Sequence, residues 1–272
     1  MTILYVTTFN EKLYNMTGKD LIISFLKCIN NADMLVCYED FEFKSEHNNI
    51  VSYDLKNDEY MNTWLNKHKD IIPKFYGGNA EDDSEIFIDT NIDYWAGKKG
   101  QSWAKFRASR YFRKIVALNY AITNFSEKYD YIFIIDSDCI FKAAIKHKVI
   151  KNLFSNSTSM IYFWSKFRES INRGPETGFT GYSKANNGFN FAKIICECFS
   201  SGKFLNYTYW DDGYVIGQVI NEYKNNKDFV LKDLVGDEKY GRWYPRASRV
   251  MERTDQPLFN HILHLKNKHQ SS

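Results

Sequence analysis

Tyr131-Ile132-Phe133-Ile134-Ile135-Asp136-Ser137-Asp138 is the stretch on which the reading of this chain turns. Five consecutive apolar residues, all aromatic or β-branched, make the length and composition of a strand buried on both faces, as the central strands of parallel sheets are. Two aspartates follow, spaced so that an extended chain turns both carboxylates to one side, where they can converge on one divalent cation. Open α/β sheets bind their ligands beyond the carboxyl ends of their strands, where this pair sits. A solvated turn would also read Asp-x-Asp, but the apolar run before it and its mid-chain position favour a ligand site.

The sequence upstream of this strand alternates in type. Residues 3–7 read as a strand, 20–30 as a helix through Leu21, Phe25, Leu26 and Ile29, and 34–38 as a second strand. A third strand at 50–55 leads into a helix at 59–69, ended by Pro73. This βαβ beginning predicts a parallel sheet. The polar stretch 77–100, with its Gly-Gly and Asp-Asp pairs, predicts a long loop, either a lid or an insertion. A long amphipathic helix follows at 102–125, its stripe carried by Trp103, Phe106, Tyr111, Ile115, Leu118 and Ile122. Downstream the pattern is mixed: a helix at 143–154, a strand at 160–164, an irregular stretch at 168–176, a strand at 178–182, a helix at 189–199, another starting at 210–212, and a strand at 229–234. Neither an internal repeat nor a linker interrupts the chain. The expected architecture is a single α/β domain over 1–272, with a Rossmann-like first half on a mostly parallel central sheet and a mixed second half.

Composition removes several classes of function. Hydrophobic residues at 44% and aromatics at 17% exclude disorder, and charged residues at 25% with a mean hydropathy of -0.48 argue against an integral membrane protein. The net charge of +3 is too small for sequence-independent phosphate binding, so nucleic acid is a poor ligand for this chain. Five cysteines, odd in number and without a CxxC pair, indicate neither a disulfide framework nor a zinc ribbon and fit a reducing compartment. The sequence shows no transmembrane stretch.

The Phe133-Ile134-Ile135-Asp136-Ser137-Asp138 segment resembles the GT-A class of nucleotide-sugar-dependent glycosyltransferases, in which a D-x-D motif ends a central strand about halfway along a chain of this size. The type it resembles is the small bacterial, phage or large-virus enzyme. The resemblance implies that Asp138 ligates Mn²⁺ or Mg²⁺, that Asp136 contacts the metal or the donor ribose, and that Ser137 lies with them in the donor site. Near the C-terminus, His261-Ile262-Leu263-His264-Leu265-Lys266 looks like the late segment that supplies a His to the metal and a Lys to the diphosphate. Those roles pass to His264 and Lys266. The glycine of the glycogenin-like H-x-x-G-x-x-K pattern is missing, which leaves His261 as the alternative to His264. Imidazole suits Mn²⁺, and a cation stabilises a departing diphosphate.

Two further segments, Glu176-Thr177-Gly178 and Trp210-Asp211-Asp212-Gly213-Tyr214-Val215, are similar to E-x-G and W-x-D-x-Y-V stretches of such enzymes. By that resemblance Glu176 binds acceptor or donor hydroxyls and, with Trp210 and Asp211, belongs to the acceptor side, and Asp212 is the catalytic carboxylate. A helix dipole favours a charged Asp in the first turn, as a general base requires, while N-capping is the bland alternative for either aspartate. Arg110 and Lys114 lie four residues apart and project together from the long helix, either toward a donor nucleotide or as a solvated basic face. Thr8 and Asn10, at the end of the first strand, mark the expected place of the nucleotide base.

The expected function is transfer of a hexose or pentose from a nucleotide-diphosphate sugar, a UDP- or GDP-sugar, to a hydroxyl of a glycan or glycoconjugate, with inversion at the anomeric carbon. Residues about 1–140 would bind the donor, about 141–266 the acceptor, and 267–272 form a tail. A cytoplasmic location, in a bacterium or a virus-infected cell, is expected. The alternatives are a haloacid-dehalogenase-like phosphatase, which also ends an apolar strand in Asp-x-Asp, and a non-catalytic carbohydrate-binding module.

Overall fold

Alternation along the strands decides which side of the sheet each residue enters. In the computed structural model, which describes residues 1–71, 108–164, 168–169, 172–235 and 262–264, β1 (Ile3–Asn10) sends Leu4 and Val6 into one core and Ile3, Tyr5 and Phe9 into another. Strand β4 (Tyr131–Ile135) divides in the same way, Ile132 and Ile134 on the first side and Phe133 and Ile135 on the second. Both strands are therefore covered on two faces, as their continuous apolar runs predict.

The first half follows the βαβ expectation. After β1 comes α1 (Lys19–Cys28), then β2 (Asp33–Glu39), β3 (Ile50–Asp54), α2 (Glu59–His68) and α3 (Ala108–Phe125), the last delivering the chain to β4. Asp58 starts α2 by accepting the N–H of Met61 at 2.7 Å, a cap of about 1 kcal/mol. The loop expected at 77–100 and the first residues of the helix expected at 102–125 lie outside the described residues.

The second half runs through β5 (Cys139–Phe141), α4 (His147–Leu153), β6 (Met160–Phe163), β7 (Glu176–Ser183), α5 (Gly188–Ser200), α6 (Asp212–Tyr223), β8 (Leu231–Asp233) and β9 (Ile262–His264). The order in the large sheet is β3-β2-β1-β4-β7-β6-β8, and β5 and β9 form a separate two-stranded sheet. Strands β1 to β4 are mutually parallel, β7 is antiparallel to both β4 and β6, and β8 is parallel to β6. Six strands thus run one way and β7 alone the other. This is the expected α/β architecture, parallel in its first half and mixed in its second.

Helices α2, α3, α5 and α6 cover one face, with Trp64 stacked on Phe112 at 3.9 Å in that core. Helices α1 and α4 and the small sheet cover the other. One expectation changes, and two short strands are added. The helix expected at 143–154 begins only at His147, because the preceding chain is extended: Cys139–Phe141 pairs with β9, and Lys146 keeps a ψ of 146°. Strands β5 and β9 have three residues each, too few to show a period. All five cysteines are free thiols, four of them buried. Among the described residues, no helix is long and apolar enough to cross a membrane.

Candidate active site

The carboxyl ends of the parallel strands, the amino end of β7 and the first turn of α6 meet at one edge of the sheet. At the end of β4 the backbone N–H of Asp136 donates to the Gly178 carbonyl at 2.9 Å, and the N–H of Cys139 returns to the Asp136 carbonyl at 3.1 Å. These two bonds turn the chain through Asp136-Ser137-Asp138. Continuing the β1–β4 register beyond Val6↔Ile134 carries Thr8 level with Asp136. Both then fall on the face covered by α3.

Lys114 reaches this edge from α3. Its Nζ lies 2.6 Å from Asp136 Oδ1 and 2.8 Å from Asp212 Oδ2, and it donates to the carbonyl and Oγ1 of Thr177 at 3.2 and 3.3 Å. One ammonium group therefore ties β4, β7 and α6 together. Burial works against its charge, but the Asp136 and Asp212 carboxylates outweigh burial and hold the lysine above its ordinary range.

Asp212 is placed by the start of α6. Asp211 is the N-cap, its Oδ1 accepting the N–H of Tyr214 at 3.0 Å, while Asp212 Oδ1 accepts the N–H of Gly213 at 2.9 Å. Of the two aspartates, Asp211 is thus the one that caps the helix. Burial, then the neighbouring charge of Asp212, pushes the Asp211 carboxyl up to about 6, against the Tyr214 N–H, Arg168 and Arg173. The turn is held by a close backbone approach: a Cβ at Gly174 would lie 1.8 Å from the Gly213 carbonyl oxygen. No side chain larger than hydrogen fits there.

Arg168 clamps this approach from outside, donating from Nε to the Gly174 carbonyl at 2.7 Å and from Nη2 to that of Pro175 at 3.2 Å. Its Nη1 meets Glu176 Oε2 at 3.2 Å, and Glu176 Oε1 accepts the N–H of Gly178 at 3.3 Å. Glu176 is 3% exposed. The structure thus gives it a bracing position beneath the site. Trp210 is buried as well, its indole N–H on the Tyr207 carbonyl at 3.1 Å and its ring against Phe204.

The remaining expected residues are distributed as follows. Ser137 is buried in the turn and Asp138 is half-buried beside it. Asn10 uses its Oδ1 to accept the N–H of Leu13 at 2.9 Å, capping a short helical turn, and Thr8 is half-buried next to it. Arg110 is exposed, one turn before Lys114 on α3. The register of β5 with β9 pairs Cys139 with His264, so the backbone of His264 lies opposite the residue that follows Asp138. His261 and Lys266 lie outside the described residues. Among the described residues, no three His, Cys, Asp or Glu side chains are gathered as a metal site.

Sequence reasoning missed the supporting groups. Thr177 and Arg168 sit in a stretch without periodicity, and only the glycine and proline near them hint at a constrained backbone. At the end of β2, Glu39 forms a two-pronged ion pair with Arg113, whose Nη2 lies 2.8 Å from Oε1. Arg113 was visible in the basic run of the helix, but its partner 74 positions away was not.

By sequence the chain matches no protein-family model and no curated protein. Among solved structures it is similar to the apo crystal structure of mouse xyloside xylosyltransferase 1, with a TM-score of 0.45 and 9% identity, over 86% of this chain and 85% of that one.

Proposed function

We propose that this protein is a glycosyltransferase that moves a sugar from a nucleotide-diphosphate donor, a UDP- or GDP-sugar, to a hydroxyl of a glycan or glycoconjugate. The observation that supports this reading best is the convergence of Asp136, Lys114 and Asp212 at the carboxyl edge of the sheet, with the last strand laid beside the Asp138 turn. Two elements distant in sequence are brought to the D-x-D turn, which a merely solvated turn does not require.

Mn²⁺ or Mg²⁺ fits the oxygen donors of that turn. Asp136 gives one oxygen to Lys114, so Asp138 would be the carboxylate that holds the metal, and His264, whose backbone lies in register with Cys139, would be the second protein ligand. A bound divalent cation would neutralise charge on the departing diphosphate. Lys114 is the second cation for that charge. An arriving diphosphate competes with Asp212 for the ammonium group, and a shift of Lys114 toward it uncovers Asp212 Oδ2. Asp212 then takes the proton of the acceptor hydroxyl while the acceptor oxygen bonds to the anomeric carbon and the bond to the diphosphate breaks, giving inversion.

A second reading is favoured by the burial of Asp212, 3% exposed, and by its standing ion pair. In it Asp212 stays paired with Lys114 and holds a donor-sugar hydroxyl, with retention of configuration. NMR of the product's anomeric proton in the first minutes of reaction separates the two. For the activity itself, release of UDP or GDP from a panel of nucleotide sugars, with and without Mn²⁺, is the test. Release of phosphate from an aryl phosphate instead would support the phosphatase alternative.

A further inference from the structure

The acceptor side expected from the sequence rests on Trp210, Asp211 and Glu176, yet Trp210 and Glu176 are buried and Asp211 caps α6. Another aromatic residue meets solvent at the same edge. Trp164 follows β6 directly, at its carboxyl end, and is half-buried. One hydrogen bond holds its ring and another its backbone. The indole N–H donates to the Arg173 carbonyl at 2.8 Å, and the backbone N–H donates to Asp233 Oδ1 at 2.9 Å. Asp233, the last residue of β8, also receives the N–H of Val235 on Oδ1 at 2.9 Å. One carboxylate oxygen thus holds two backbone groups, leaving Oδ2 outside both of these bonds.

This pair is tied to the reaction centre through α6. A Cβ on Gly217 would lie 3.3 Å from Cη2 of Trp164 and 3.1 Å from Cα of Gly174. Gly217 is four residues, about one turn and 5.4 Å of rise, beyond Gly213, and Gly213 adjoins Asp212. The indole therefore lies about one helical turn from the carboxylate assigned to the transfer step. Part of Trp164 packs against the core on that side of the sheet, and its remaining exposed part meets solvent at the edge where Asp233 ends β8. An aromatic surface takes the apolar C–H side of a sugar ring, and a carboxylate oxygen accepts its hydroxyls.

Building on the glycosyltransferase reading, we propose that Trp164 and Asp233 form the acceptor platform, and that the acceptor is itself a pyranose sugar rather than a peptide or lipid hydroxyl. Trp164 stacks on the ring that carries the attacking hydroxyl, and Asp233 fixes its rotation. Neither residue belongs to the donor site.

Steady-state transfer to a panel of p-nitrophenyl glycosides tests this, with hydrolysis of the nucleotide sugar to water measured in parallel. Trp164→Ala and Asp233→Asn should each raise the acceptor KM by about tenfold or more while the rate of donor hydrolysis stays at the wild-type level. Trp164→Phe, which keeps an aromatic face, should recover most of the loss, which a purely structural role of the indole N–H bond would not allow. An unchanged acceptor KM in folded Trp164→Ala, or donor hydrolysis falling in step with transfer, would overturn the assignment, as would transfer to serine or threonine peptides in place of every glycoside. Failure of the wild-type protein to turn over any nucleotide sugar would instead remove the glycosyltransferase reading and this platform with it.

Discussion

Lys114 Nζ and Asp212 Oδ2 are 2.8 Å apart, although the lysine comes from the middle of a helix and the aspartate from the first turn of another, 98 residues further along. The same nitrogen holds Asp136, so two carboxylates from different parts of the sheet edge share a single positive charge.

Removing that charge should be costly in two ways. Lys114→Met leaves Asp136 and Asp212 facing each other in a largely buried setting, and breaking such a pair costs about 3 kcal/mol of stability. Transfer should fall by roughly 10² or more through loss of a cation near the diphosphate, with Lys114→Arg intermediate. Thermal melting and UDP or GDP release from a nucleotide sugar, measured on both variants, check this.

Asp211 predicts the direction of a pH effect. Its carboxyl stands at about 6 in the folded protein and near 4 when unfolded. Between those values the folded state binds a proton that the unfolded state does not, so stability declines as pH rises from about 4 to about 6 and is level above. Asp211→Asn keeps an N-cap and removes this contribution. Urea midpoints across that range should show the variant gaining on the wild type by on the order of 1 kcal/mol by pH 7. Asp233, raised to about 6 chiefly by burial, leaves part of the slope in place.

Gly174→Ala tests whether the backbone approach positions Asp212. An added Cβ meets the Gly213 carbonyl oxygen at 1.8 Å, so the first turn of α6 must move. A misplacement of about 1 Å can cost 10²-fold in rate. The variant should lose both melting temperature and transfer, whereas Gly202→Ala, at a φ of 88° with its nearest neighbour at 3.5 Å, should lose stability without a comparable loss of rate.

The fold and the site differ from residue to residue in how legible they are in the sequence. Strand β4 was legible to its last residue because five apolar residues in a row have few other uses, and Lys114 was legible because its place on a helical face follows from periodicity. That Asp136 and Asp212 share it was not legible, since contacts across 98 residues of chain follow from sheet order rather than local pattern. Trp210 and Glu176 stood in motif-like segments and are buried in the fold, which a motif does not reveal, because it gives residue type and order but not which side of the backbone faces solvent. Trp164 was overlooked for the complementary reason: it ends a strand whose apolar pattern absorbs it.

Asp138 should carry the metal dependence. Asp138→Asn replaces a hard anionic oxygen with an amide and should abolish the Mn²⁺-dependent part of UDP or GDP binding in a protein of unchanged fold. His264→Ala should weaken that binding by more than it lowers the melting temperature. Calorimetric titration with and without Mn²⁺ reads both.

The central claim is most directly tested by incubating the protein with UDP- and GDP-sugars and following nucleoside diphosphate release. Release from at least one nucleotide sugar, stimulated by Mn²⁺ and lost in Asp138→Asn and Asp212→Asn, is the predicted result. Absence of release from every nucleotide sugar, with phosphate freed from an aryl phosphate by the same preparation, would contradict it.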